Sequence, residues 1–167
     1  ALVLCSLAAL GLRVRSWRQQ LQRRQITLTF GVVVLASLLN MLLVLGGAAV
    51  QLRVSYQGLL SNGMVLYVLY GLWQLQSPRR SVQLRMMWVA LPVMMTLFSF
   101  WTWVVYEQLL HGGVVIFRTN LNEPWLAFVL RLFVVGALIL AHVGAQGYEL
   151  EREVELQERT SSDREHR

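Results

Sequence analysis

Two charged residues, Glu107 and Arg131, lie within the last two long apolar stretches of the sequence. Arg131 falls about seven residues into the last apolar stretch, where a charge is costly and needs a partner or a wet cavity. Glu107 lies near the matching end of the preceding stretch, so the two could form an intramembrane polar pair, with Glu123 as a rival partner. Such a pair would suit transport or sensing. The alternative is that Arg131 extends to the lipid head groups while Glu107 stays hydrated.

Four other polar side chains fall within apolar stretches, namely Asn40, Ser61, Asn62 and His142. Together they are candidates for a polar pocket, with the first three between the second and third stretches, or they bond across neighbouring helices. A buried histidine suits haem ligation or proton relay, but the other two histidines are in a predicted loop and in the tail. We therefore favour structural roles for these side chains.

Enzymatic motifs are missing from the sequence. It has no nucleophile elbow, phosphate loop, HExxH or CxxC sequence, and its one aspartate, Asp163, lies in the polar tail. One cysteine and three scattered histidines cannot make a tetrahedral zinc site. The sequence therefore predicts a non-catalytic protein without catalytic, cofactor-binding or metal-ligating residues.

Small residues repeat along one face of the last apolar stretch. Small side chains let helix backbones approach closely, which is how membrane helices pack. The predicted packing face, whose neighbour could be internal or another subunit, consists of Gly136, Ala137, Ala141, Gly144 and Ala145.

The elements that carry these residues must be membrane helices. The chain is 56% apolar and only 14% charged, whereas soluble domains are about one quarter charged. A soluble fold of this size could not cover so much apolar surface. The fold class is therefore all-α, a polytopic transmembrane helical bundle.

The apolar stretches predict about five spans, of which the third is the most polar. The first is expected to be either the end of a span whose start is absent or a short, tilted helix. Residues 1–148 form the predicted bundle, and residues 149–167 form a charged cytoplasmic helix and tail. The predicted spans are residues 1–15, 26–50, 54–75, 86–110 and 124–148.

Arginine placement predicts the orientation. All fifteen basic residues are arginine, and eight lie in the first and third loops against two in the second and fourth. This bias places the basic loops and the C-terminus on the cytoplasmic side. The expected partners are the lipid bilayer, with anionic head groups at the basic loops, and other membrane subunits or a second copy. Basic residues between apolar runs do not suit nucleic acid. A bacterial inner membrane or an organelle membrane is the expected location.

The last span runs into a charged helix, and in this it resembles the membrane input domains of bacterial sensor proteins. That resemblance covers residues 124–167 and implies signal transduction as one function. The leading hypothesis is a non-catalytic accessory or scaffold subunit of a larger membrane complex. The second is a sensory membrane domain, and the third is a small transporter or channel that uses Arg131 and Glu107.

Overall fold

The computed structural model describes residues 2–18, 22–47, 49–75, 81–110 and 125–165. In these ranges the regular structure is entirely helical, which confirms the all-α prediction. The helices, in chain order, are α1 (Leu2–Ser16), α2 (Arg23–Leu45), α3 (Val50–Trp73), α4 (Val82–Leu110) and α5 (Trp125–Glu165).

Three of these helices contain segments long and apolar enough to cross a membrane. The segments are Arg23–Leu45 in α2, Val82–Val104 in α4 and Phe128–Ser161 in α5. The chain is therefore a helical protein with candidate membrane spans. In the described ranges α1 and α3 are outside this set, since α1 has 15 residues and α3 carries polar side chains in its first half. The predicted count of about five spans thus stays a prediction.

A glycine pair ends α2 earlier than predicted. The apolar stretch continues to Val50, but the Gly46 amide donates to the Leu42 carbonyl at 2.8 Å and Gly47 has a φ of 66°. This left-handed conformation is favourable at glycine and terminates helices. Val50, the last residue of the predicted span, instead begins α3.

The helices alternate in direction. The largest interface joins α4 to α5, followed by those of α3 with α4 and of α1 with α3. The C-terminal ends of α1 and α3 are adjacent, because Arg18 Nη1 donates to Gln74 Oε1 at 2.9 Å. The start of α4 is at the same end, where Gln83 lies against Gly144 and Gly147 of α5. We call this the arginine-rich end, since the arginines of α1 and the start of α2 are located there.

The core lies between α1, α3, α4 and α5. Its fully buried large side chains are Leu7, Leu10, Val14, Val65, Val68, Met87, Leu91 and Met94. By contrast, α2 buries only Val33 and Ala36, so most of its apolar surface is open to lipid or to another protein.

Candidate functional site

A polar seam joins α1 to α5. Ser6 Oγ lies 2.8 Å from His142 Nε2, and one heptad further along each helix Arg13 contacts Glu149. Both pairs are separated by 136 residues in sequence. Equal separations mean that α1 and α5 run parallel and in register over this heptad, with side chains seven residues apart on the same helix face.

At the arginine-rich end of this seam lies an ion-pair cluster that we call the clamp. It is formed by Arg13, Trp17, Glu149 and Arg152. Arg13 Nε donates to Glu149 Oε1 at 2.6 Å, and its Nη2 donates to Oε2. Trp17 Nε1 donates to the same Oε1 at 2.9 Å. Arg152 Nη1 donates to the Trp17 carbonyl at 3.0 Å. The C-terminal end of α1 is therefore bonded to two residues of α5, Glu149 and Arg152.

The clamp geometry is that of a bidentate arginine–carboxylate pair, which is directional as well as attractive. Trp17 also packs on Tyr148, with ring centroids 4.7 Å apart at 53°. The side chains of Arg13 and Glu149 are 29% and 32% exposed, so water screens part of the attraction.

A cavity of about 500 Å³ lies at the opposite end of the bundle. We call it the polar cavity, and residues of α1, α3, α4 and α5 line it. Its volume is in the range of small-molecule sites. The lining residues are Val3, Val54, Gln57, Gly58, Ser61, Leu97, Phe98, Trp101, Thr102, Leu130, Arg131, Val134 and Val135.

The polar groups of this cavity differ in what they can still bind. Gln57 Nε2 donates to Asn40 Oδ1 at 3.3 Å, and Thr102 Oγ1 donates to the Phe98 carbonyl at 2.8 Å. Each bond occupies one donor, so Gln57 keeps a second amide N–H and its carbonyl oxygen, and Thr102 keeps its oxygen lone pairs. Arg131 brings a cation with a fork of donors to the same cavity.

The predicted pair of Arg131 and Glu107 cannot be compared with the structure, because the side chain of Glu107 and all of Glu123 are outside the described residues. Arg131 itself is exposed and lines the polar cavity. The pair therefore stays a prediction.

The candidates for a polar pocket are distributed over several interfaces. Asn40 bonds to Gln57 between α2 and α3, and Asn62 Nδ2 donates to Ser99 Oγ on α4 at 3.2 Å. Ser61 lines the polar cavity. His142 belongs to the seam with α1. The structure thus does not bring these four together around one space.

The small residues of α5 lie mainly against α4. Ala137 is 6% exposed, and Ala141 and Ala145 are fully buried. A Cβ atom on Gly144 would come within 2.9 Å of the Gln83 carbonyl and of Met87. Gly136 differs, since nothing lies within 4 Å of the corresponding point, and it lines a groove of about 630 Å³ on the outside of α4 and α5.

Sequence reasoning missed the clamp and Gly147. Arg13 lies two residues before the end of the first predicted span, and Glu149 lies one residue after the end of the last, so both fall near the same end of two parallel spans. A search for opposite charges at matching depths of parallel helices could have found them. Gly147 follows Gly144 by three residues, the spacing of one helix face, and its Cβ would lie 2.6 Å from the Gln83 side chain.

No known protein family, curated protein or solved structure matches this chain. In the described ranges no three metal-binding side chains of the His, Cys, Asp or Glu type come together. A function can be inferred from the polar cavity, from the clamp and from α5, which joins them.

Proposed function

We propose that this chain is a non-catalytic, membrane-embedded signal-coupling domain, in which α5 transmits the state of the polar cavity to an exposed helical segment. One observation carries the proposal. α5 is a single helix of 41 residues that lines the cavity with Leu130, Arg131, Val134 and Val135 and continues to Glu165.

The physical basis is the stiffness of a continuous helix. A change at Arg131 shifts or rotates α5. This motion reaches the clamp at Glu149, which lies 18 residues, or about 27 Å, further along the same helix. Bidentate contacts at Glu149 hold one rotation of α5 against α1. The clamp is thus a discrete contact that can be made or broken, which is what a two-state coupling needs.

The output is the segment from Leu150 to Ser161, where every side chain is exposed. Leu150 and Val154 share a helix face and are 63% and 53% exposed. Apolar side chains four residues apart on a charged helix favour pairing with a second helix. We propose a second copy of this chain as the partner.

Cysteine crosslinking of the full chain in lipid vesicles tests this function. In a Cys5→Ser background, we expect Val154→Cys to crosslink more rapidly between copies than the matched control Glu155→Cys. Filling the cavity with Ser61→Phe should change the Val154→Cys rate. Leu66→Phe, which adds the same ring on the exposed side of α3, should leave it unchanged.

Two results would contradict coupling. Equal crosslinking at positions 154 and 155 would show that the exposed segment has no preferred pairing face. Equal rates in Ser61→Phe and Leu66→Phe would show that the cavity and the segment are independent.

The orientation and the number of spans belong to the same proposal. The arginine-rich end faces the cytoplasm, because the positive-inside bias and the exposed charged segment agree at that end. α1 and α3 also lie within the bilayer, supported by their burial in the core with α4 and α5. Accessibility of single cysteines to an impermeant thiol reagent tests this topology.

A second candidate is an accessory or scaffold subunit of a membrane complex. It is favoured by α2, which buries only Val33 and Ala36 against the rest of the chain. Leu35 and Leu42 are 69% and 60% exposed and could contact another subunit. Serine at both positions should abolish co-purification of such a subunit, while unaltered co-purification would exclude this face.

A further inference from the structure

We propose that the groove of about 630 Å³ on the outside of α4 and α5, here called the outer groove, binds an anionic phospholipid. One acyl chain lies in the outer groove, and the lipid head group lies at Arg85. This binding site goes beyond the proposed function, because the outer groove shares no lining residue with the polar cavity.

The charge of the outer groove lies at one of its ends. Among the described lining residues the charged one is Arg85, which is exposed in the first turn of the candidate span Val82–Val104. Gln83 of the same turn contacts Gly144 and Gly147, so this is the arginine-rich end of the bundle. An arginine at the end of a spanning helix extends to the level of the lipid phosphates.

The outer groove has the length of one lipid leaflet. Along α4 it extends from Val82 to Val93, which is about 16 Å for an α-helix. Half of the hydrocarbon core of a bilayer is about 15 Å. An acyl chain whose head group lies at Arg85 therefore reaches the far end of the outer groove near the bilayer midplane.

The walls of the outer groove suit a flexible hydrocarbon chain, because every described lining residue except Arg85 is apolar. Ala90 and Ala137 are buried and form its floor. Val89 and Phe133 are exposed and form its rims. Nothing lies within 4 Å of the point that a Cβ atom on Gly136 would occupy, so this part of the outer groove is open.

The neighbouring arginines select for a head group with a net negative charge. Arg15, Arg23 and Arg24 lie at the same end of the bundle as Arg85. Clusters of basic side chains at the bilayer surface attract anionic lipids. A zwitterionic lipid also carries a phosphate, but its ammonium group offsets the attraction to these arginines.

The competing occupant is the exposed apolar helix α2 of a second copy, which buries only Val33 and Ala36 within its own chain. Two copies with the same orientation in the membrane would bring Arg23 and Arg24 of α2 to the level of Arg85. These like charges repel, and α2 has no acidic residue to offset them. The charge pattern therefore favours an anionic lipid.

Photocrosslinking of the full chain in nanodiscs tests the binding site. Two probes, phosphatidylglycerol and phosphatidylcholine with the same diazirine-bearing acyl chain, are each added in trace amounts to nanodiscs of unlabelled phosphatidylcholine. Mass spectrometry maps the labelled positions. We expect phosphatidylglycerol to label residues 82–93 and 132–140 more strongly than phosphatidylcholine does. Equal labelling by both probes, or label spread evenly over exposed α2, would overturn the proposal.

Arg85→Gln tests the head-group contact. The ratio of phosphatidylglycerol label to phosphatidylcholine label in the outer groove should fall about fivefold, as expected for one arginine near the bilayer surface. Arg15→Gln is the matched control, because it removes an exposed arginine of the same end that does not line the outer groove. An equal fall in both variants would show that Arg85 is not the head-group site.

Gly136→Leu tests the acyl-chain contact, because the new side chain enters the open part of the outer groove. This variant should lose most of the phosphatidylglycerol label. Gly31→Leu is the matched control on α2, where nothing lies within 4 Å of the added Cβ atom, and it should retain the label. Equal label in the two variants would show that the chain does not lie in the outer groove.

Cysteine crosslinking distinguishes the lipid from a second copy. In a Cys5→Ser background, Val89→Cys lies on a rim of the outer groove. Rapid crosslinking of Val89→Cys between copies, with no label in the outer groove, would replace the lipid by a protein partner. The Val154→Cys test of coupling is separate, because it alters only the polar cavity and the exposed segment of α5.

Discussion

The two ends of the α1–α5 region differ in how closely α5 packs against its neighbours. At the clamp, both carboxylate oxygens of Glu149 accept hydrogen bonds, and Trp17 is fixed through its indole nitrogen and its carbonyl. At the polar cavity, the same helix presents Arg131 to an open volume of about 500 Å³. One end of α5 is therefore held by an ion pair with α1, and the other end borders a cavity.

This difference shows how one helix can combine stability and response. Directional contacts with α1 and close backbone contact with α4 define the position of α5 at the arginine-rich end. Packing is looser around Arg131, where the lining side chains leave room for a ligand. Regions of low packing density are those from which binding sites and moving elements are drawn.

The largest effect is expected from breaking the close contact of α5 with α4. Gly144→Leu forces a side chain against the Gln83 carbonyl and Met87, and should lower the free energy of unfolding by about 2–3 kcal/mol. Gly136→Leu places the same side chain where nothing lies within 4 Å, and should raise stability by up to about 1 kcal/mol. Unfolding by dodecyl sulfate, followed by circular dichroism in mixed micelles, measures both. Equal losses would remove the proposed difference in packing along α5.

The next effect concerns the clamp. Glu149→Gln keeps the size of the side chain and removes its charge, so we expect a loss of about 1 kcal/mol after allowing for solvent screening. Glu151→Gln, on an exposed side chain of the same helix, is the control and should change stability by less than about 0.5 kcal/mol. The same unfolding assay applies. Indistinguishable variants would mean that the clamp does not fasten α5.

The smallest effect on stability is expected at the Ser6–His142 hydrogen bond of the seam. Ser6→Ala removes the hydroxyl that bonds to His142 and should cost about 0.6 kcal/mol, the average for hydrogen bonds between membrane helices. Ser16→Ala removes only a local bond to the Arg13 carbonyl and is the reference. Chemical shifts of the His142 ring should also move in Ser6→Ala alone. An unchanged His142 spectrum would contradict direct contact.

The helical class was predictable because the apolar content and the length of each stretch are local properties of the sequence. Helix ends shifted where a single glycine decided the backbone, as at Gly47. The clamp and the cavity were not predicted, because both depend on which helices become neighbours. Arg13 and Glu149 are far apart in sequence, and no local pattern indicates that α1 lies beside α5.

The placement of Gln57 and Asn40 follows the same logic. Their polarity at membrane depth was evident from the sequence, and bonding across helices was among the expectations. The cavity behind Gln57 was not, since it arises from the volume left between four helices. Residue type thus predicted hydrogen-bonding capacity, and only the packing determined which side chains line the cavity.

The parallel register of α1 and α5 has a consequence for biosynthesis. Because the partners in the seam are the first and the last helices in the described ranges, α1 cannot complete its polar contacts until the ribosome has produced residues 142–152. Until then, Ser6 and Arg13 of the nascent chain depend on water, head groups or a chaperone. The α1–α5 seam therefore closes only after α2, α3 and α4 have been made, and damage to it should appear first as a delay in maturation.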